Sequence, residues 1–187
     1  VCGSCKGAQI GVVNVATKSM RGAQVGVVNY AADGRIAFAY WGSETALVNV
    51  GMKLGAKHMY GILGYALDPI GTTWSGYFLG LGGHAELSRG LWLEVDALVF
   101  QMHAADTWEE DDQDMLVKLR GVLGWRCLDQ MSIFGGLALN ELISKERDHV
   151  GFDWSMRSSD DDGLHERLSL GFLLGVQWEP KWGGLNR

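Results

Sequence analysis

Met115-Leu116-Val117-Lys118-Leu119-Arg120-Gly121-Val122-Leu123-Gly124-Trp125-Arg126 is the stretch that decides the fold. Met115, Val117, Leu119, Leu123 and Trp125 share one parity, and Lys118, Arg120 and Arg126 hold the other. A period of two is the signature of a β-strand with one apolar and one charged face. The pattern returns where Leu168, Leu170, Phe172, Leu174, Val176 and Trp178 alternate with Arg167, Ser169, Gly171, Gly175 and Gln177. It returns again where Leu91, Leu93, Val95, Ala97 and Val99 alternate with Trp92, Glu94 and Asp96. Reading outward in both directions predicts eight strands, over 35–42, 45–54, 58–67, 74–87, 91–103, 114–127, 131–142 and 165–178.

Alternation alone does not say which face meets water, because a soluble barrel and a membrane barrel show the same period. Three features favour the inverted arrangement, with apolar side chains outside. The polar parity is rich in glycine (Gly76, Gly80, Gly82, Gly136, Gly171, Gly175), which suits a crowded interior. It carries both signs, so Lys53, Lys118, Arg120, Arg126 and Arg167 can neutralise Glu86, Glu94 and Asp96 inside a lumen where a lone charge costs several kcal/mol. Aromatic residues near strand ends (Tyr40 or Trp41, Tyr60, Tyr77, Trp125 and Trp178) are expected to form interfacial girdles. Short turns at 88–90 and 128–130 alternate with polar loops at 68–73, 104–113 and 143–164, as in barrels with small turns at one rim and large loops at the other.

Composition agrees. The 187 residues suit one core, and 27 Gly and 8 Trp with only 2 Pro, 47% apolar and 20% charged residues exclude disorder and a coiled coil. A net charge of −6 argues against nucleic acid as a partner, since no basic stripe is present to meet phosphates. No apolar run reaches the roughly 18 residues of a membrane helix, and Val1-Cys2-Gly3-Ser4-Cys5 does not read as a secretion signal.

The N-terminal part repeats with a period of fifteen. Gly7-Ala8-Gln9-Ile10-Gly11-Val12-Val13-Asn14-Val15-Ala16 is followed by Gly22-Ala23-Gln24-Val25-Gly26-Val27-Val28-Asn29-Tyr30-Ala31. Stacked β coils would align Gln9 with Gln24 and Asn14 with Asn29 as amide ladders over a valine core. The other reading makes the repeats two further strands of a ten-stranded barrel. This unit resembles the G-x-Q-I-G-L-x-N repeats of bacterial surface-repeat proteins, in which repeats precede an outer-membrane β-barrel segment. The resemblance covers residues 7–31 closely and implies an envelope location, but no reaction and no catalytic residues.

Little else points to chemistry. Cys2 and Cys5 lack the further ligands of a zinc site and do not open a helix as redox pairs do, leaving a local disulfide or two idle thiols. Cys127, beside a turn, reads as a small structural residue. The acidic runs Glu109 to Asp114 and Asp160 to Asp162, the second with Gly163 resembling half of a calcium loop but lacking its bidentate glutamate, read as a solvated rim able to bridge divalent cations to anionic lipid heads. His84, on the lumen parity near Glu86, reads as a buried histidine–carboxylate pair, and His103 and His165 sit at strand ends beside acidic loops.

The sequence therefore predicts an all-β chain. Residues 1–34 form a β-repeat segment, and residues 35–187 form an up-and-down transmembrane barrel of about eight antiparallel strands with a C-terminal periplasmic tail. The expected protein is a non-enzymatic resident of a Gram-negative outer membrane, with a plugged lumen, no cofactor and no bound metal. Its expected partners are outer-membrane lipids and other envelope proteins, in a structural or adhesive role or as a subunit of a surface assembly. Two alternatives stand beside it: a soluble barrel carrying a lipid against its apolar parity, and a rim-site lipid hydrolase or acyltransferase using His103 or His165.

Overall fold

The computed structural model describes residues 1–26, 28–70, 74–104, 113–144, 155–161 and 164–180. Their regular structure is entirely β. The N-terminal strands are β1 (Cys2–Ile10), β2 (Val13–Val25) and β3 (Val28–Ala31). They are followed by β4 (Arg35–Ser43), β5 (Val48–Gly55), β6 (Met59–Asp68), β7 (Trp74–Ser88), β8 (Leu91–Ala104), β9 (Gln113–Arg126) and β10 (Met131–Ser144). The last two are β11 (Ser155–Asp161) and β12 (Leu164–Trp178). Eight of these, β4 to β10 and β12, pair antiparallel in succession and close into a barrel, because β12 pairs with both β10 and β4. All eight strands expected from alternation are present, with ends shifted by a few residues. β11 was not foreseen, because Ser155-Met156-Arg157-Ser158-Ser159-Asp160-Asp161 has no apolar alternation.

The register fixes the barrel's geometry. From Tyr40 the cross-strand partners run through Val50, Tyr65, Tyr77, Gln101, Met115 and Ile143 to Glu166 on β12. Tyr40 itself pairs with Val176, so the ladder closes with a stagger of ten residues. At ~3.3 Å rise per residue and ~4.8 Å between strands, this stagger tilts eight strands by about 40°.

The tilt and the pleat send one parity inward and the other outward. Trp92, Glu94, Asp96, Leu98 and Phe100 on β8 are buried, whereas Leu93, Val95 and Val99 are exposed. On β9, Leu116, Lys118, Arg120 and Val122 are buried and Met115, Leu119, Leu123 and Trp125 are exposed. The outer wall is thus apolar and the inner space holds the charges, the reverse of a water-soluble barrel. The carrier arrangement, with the apolar parity lining a cavity, is not the one found.

The barrel is lopsided. β4, β5 and β6 are 9, 8 and 10 residues long, whereas β7 to β10 and β12 run to 14 or 15. β12 is therefore served on one edge by two strands in turn. β4 pairs with Leu173 to Trp178, and β11 with Leu164 to Ser169.

The repeats form a separate three-stranded parallel sheet, not barrel strands. Gly7 pairs with Gly22, Gln9 with Gln24, Asn14 with Asn29 and Ala16 with Ala31, each fifteen residues apart. Gln24 Nε2 donates to Gln9 Oε1 over 2.9 Å and Asn14 Nδ2 to Asn29 Oδ1 over 2.8 Å, so both amide ladders form. A Cβ on Gly22, which has φ +145°, would lie 1.9 Å from the Gly7 carbonyl oxygen; the repeat needs glycine where its coils touch. Among the described side chains the expected valine core does not form. Val12 and Val13 are exposed, and the buried cluster is Ala16, Met20 and Ala31 with Ala56 of the barrel, against Cys2 and Cys5. The pleat of β2 sends Asn14, Ala16, Met20 and Gln24 inward, and two coils are too few to enclose both faces. Cys2 and Cys5 form a disulfide, and Cys127 is a free, exposed thiol in the β9–β10 turn. The stack sits at the short-turn end of the barrel, beside Ala56 in the β5–β6 connection.

Candidate functional site

The chemistry-bearing side chains converge inside the barrel, in three tiers between the short-turn end and the long-loop end. In the first, Glu94 gathers three partners. Arg35 Nη1 donates to its Oε1 over 2.5 Å, Lys53 Nζ donates to its Oε2, and His84 Nδ1 lies 3.1 Å from its Oε1. Lys53 also donates to Gln177 Oε1 over 2.7 Å, and Arg35 pairs with Glu179 beyond the end of β12. Indole and phenol rings surround these cations, with Lys53 Nζ 5.2 Å from the Tyr60 centroid and the Arg35 guanidinium 5.9 Å from that of Trp92.

The middle tier is centred on Asp96. Arg120 Nε donates to Oδ2 over 2.8 Å, Tyr60 donates its hydroxyl hydrogen to Oδ1 over 2.5 Å, and the Arg120 guanidinium lies 4.2 Å from the Trp41 ring centroid. Trp41, Phe78, Phe100, Leu98 and Leu116 pack in one buried cluster beside it. Gly124 shows how tightly: a Cβ there would lie 2.0 Å from the Trp92 ring.

The third tier faces the long loops. Lys118 Nζ donates to Thr45 Oγ1 over 2.7 Å and has Glu44 Oε1 at 3.5 Å. Glu44 comes from the β4–β5 connection and also accepts from Asn140 Nδ2 over 2.9 Å and from the Phe172 backbone N–H over 2.7 Å.

The expected network is partly relocated. Lys53, Glu94, Asp96, Lys118 and Arg120 are buried within the barrel. Glu86 and Arg126 are not; they face each other at 3.5 Å on the short-turn rim with partly exposed side chains, because both lie at strand ends where the wall opens to solvent. His84 pairs with its cross-strand neighbour Glu94, not with Glu86. Arg167 is half-buried, opposite Leu142 near the long-loop end of β12.

Of the expected girdle aromatics, Tyr77, Trp125 and Trp178 are exposed on the outer wall, but Trp41 and Tyr60 are 0% and 1% exposed and point into the lumen. The correction follows from parity: Trp41 falls in phase with Ala37 and Ala39, and Tyr60 with Ile62, all of them buried. Phe38, Tyr40 and Tyr65 are the exposed rings of these strands. Tyr40, Tyr65 and Tyr77 thus lie toward the long-loop end, and Phe38 stacks on Trp178 toward the short-turn end.

Three charged participants were missed. Arg35, in phase with Ala37, was legible in principle; Glu44 and Glu179 lie outside the alternating segments and carry no periodic signal. His103 points outward beside Tyr77, and His165 pairs in register with Ser144 and Asp160 at the long-loop rim. Among the described residues no group of three His, Cys, Asp or Glu is placed to hold a metal. Residues 109–112 and Asp162 of the acidic runs lie outside the described residues.

No protein-family model matches the chain, and no curated protein or solved structure matches it.

Proposed function

We propose that the barrel spans a membrane, the outer membrane of a Gram-negative cell, as a non-enzymatic envelope protein with a plugged lumen. The observation that carries this reading is the inverted wall: hydrophobic side chains around the outside, paired ions within. From Met115 to Trp125 the outward residues of β9 are Met115, Val117, Leu119, Gly121, Leu123 and Trp125, without a charge. Ten steps at ~3.3 Å, tilted by about 40°, give a height of about 25 Å, the size of an outer-membrane apolar band. Among the described residues, closure pairs both edges of the barrel strands through most of the wall; where β12 passes from β4 to β11, Glu44 serves the backbone. The short-turn end, with the repeat stack, faces the periplasm in this reading, and the long loops face outward.

Eight strands leave room only for side chains, and the buried cluster of aromatic and aliphatic residues supports a plugged lumen, so the protein acts through its surfaces: as a structural element, in adhesion, or as a subunit of a surface assembly. Lipids of that membrane are its first partners. Fractionation of cells expressing the protein is the test. Recovery in the membrane fraction, release only by detergent and heat-modifiable gel mobility are expected; recovery in the detergent-free soluble fraction overturns the reading.

A further inference from the structure

Lys118 differs from the other cations buried in the barrel. Arg120 has a carboxylate oxygen at 2.8 Å and Arg35 one at 2.5 Å, but Lys118, wholly buried, has its nearest at 3.5 Å. The neighbours across the sheet are Asn140 and then Ser169. Ser169 Oγ, a hydroxyl able to donate, is buried without a hydrogen-bond partner, a costly state for a polar group. This incompletely satisfied cluster lies where, among the described residues, the wall is interrupted. β4 ends opposite Leu173 and β11 begins opposite Ser169, and the Phe172 N–H between them is met by Glu44. A Cβ on Gly171 would lie 2.0 Å from Glu44 Oε1, so the carboxylate reaches the cluster across a residue that has no side chain.

Outside, just below this notch, the wall is poor in side chains around one exposed leucine. Leu174 has Gly42 on one side and Gly135 on the other, and Leu174 and Phe172 are 72% and 68% exposed. We propose that the notch is a lateral docking site for one phosphate-headed lipid. Its head would displace Glu44 from Lys118, and its chain would lie beside Leu174, over Gly42. Glu44, with two oxygens, already acts as an internal anion there. A phosphate head brings a further oxygen for the Ser169 hydroxyl, beside the Lys118, Asn140 and Phe172 donors. The proposal rests on the membrane reading, since only a wall in contact with lipid would present Leu174 and Gly42 to a chain.

The test uses the folded protein in neutral-detergent micelles, titrated with dodecyl phosphate and, separately, with inorganic phosphate, and read by 31P NMR line broadening. Saturable binding of dodecyl phosphate is expected, tightened about tenfold by Glu44→Gln and weakened at least about tenfold by Lys118→Met, each tenfold step being about 1.4 kcal/mol. Ser169→Ala, a milder change, is expected to weaken it severalfold, and heat-modifiable mobility confirms that each variant is folded. Equal response of the wild type and all three folded variants overturns the proposal, as does inorganic phosphate binding as tightly as dodecyl phosphate. A protein that fractionates with membranes yet fails this titration sinks the docking site alone; a soluble protein sinks the membrane reading.

Discussion

Arg120 and Asp96, direct partners across β8 and β9, form a buried ion pair whose Nε to Oδ2 distance is 2.8 Å, inside a barrel with a hydrophobic exterior. The pair also anchors its surroundings, since Tyr60 donates to the same carboxylate and Trp41 lies against the guanidinium. Removing one member strands the other. Arg120→Leu is expected to destabilise the barrel by about 3 to 5 kcal/mol, measured by urea unfolding in detergent. The double change with Asp96→Leu should recover a large part of that loss. Single and double variants of equal, unchanged stability would mean that the pair sits in water.

Glu94 should behave as a hub. Glu94→Leu leaves Arg35, Lys53 and His84 without their shared carboxylate, and a loss of about 3 to 5 kcal/mol is expected. Because Lys53 acts through the same group, adding Lys53→Met should cost much less than it does alone, a non-additivity that a double-mutant cycle measures.

The outer wall gives a prediction of opposite kind. Leu119→Arg places a charge midway along the apolar band and should cost about 2 to 4 kcal/mol of folding into bilayers. Spin labels at Leu119 and Leu170 should report hydrocarbon. An aqueous signal at both would reverse the orientation of the sheet.

The repeat stack should fail independently of the barrel. Gly22→Ala drives a methyl into the Gly7 carbonyl at a positive φ, and Asn29→Ala removes the buried acceptor of Asn14, each worth roughly 1 to 3 kcal/mol. Hydrogen exchange should quicken between residues 7 and 31 while β7 to β10 stay protected. Equal loss of protection in the barrel would show the two parts to be one cooperative unit.

What was legible in the sequence follows from where alternation is strong. β8, β9 and β12 set charges or glycines against aliphatic residues, so their spans and faces were readable. β4 and β6 carry apolar side chains on both faces, which erased the parity and put Trp41 and Tyr60 on the wrong side. Glu44 is the reverse case. Its role depends on β4 stopping at Ser43 while β12 runs on past Leu173, a relation between distant segments with no local trace in composition. The amide ladders could be foreseen because an in-register stack repeats the sequence itself; the alanine and methionine interior could not, because it depends on which face of β2 meets Ala56.

The unequal strand lengths have a consequence for the surrounding lipid. Along β5 the outward apolar residues run only from Val48 to Leu54, a height of about 15 Å at the same tilt, against about 25 Å on β9. On the membrane reading, a leaflet that matches the tall side must thin or pucker against the low one. Such one-sided mismatch, costing fractions of a kcal/mol per Å, would make β4 to β6 the flank against which neighbouring proteins or shorter-chained lipids gather.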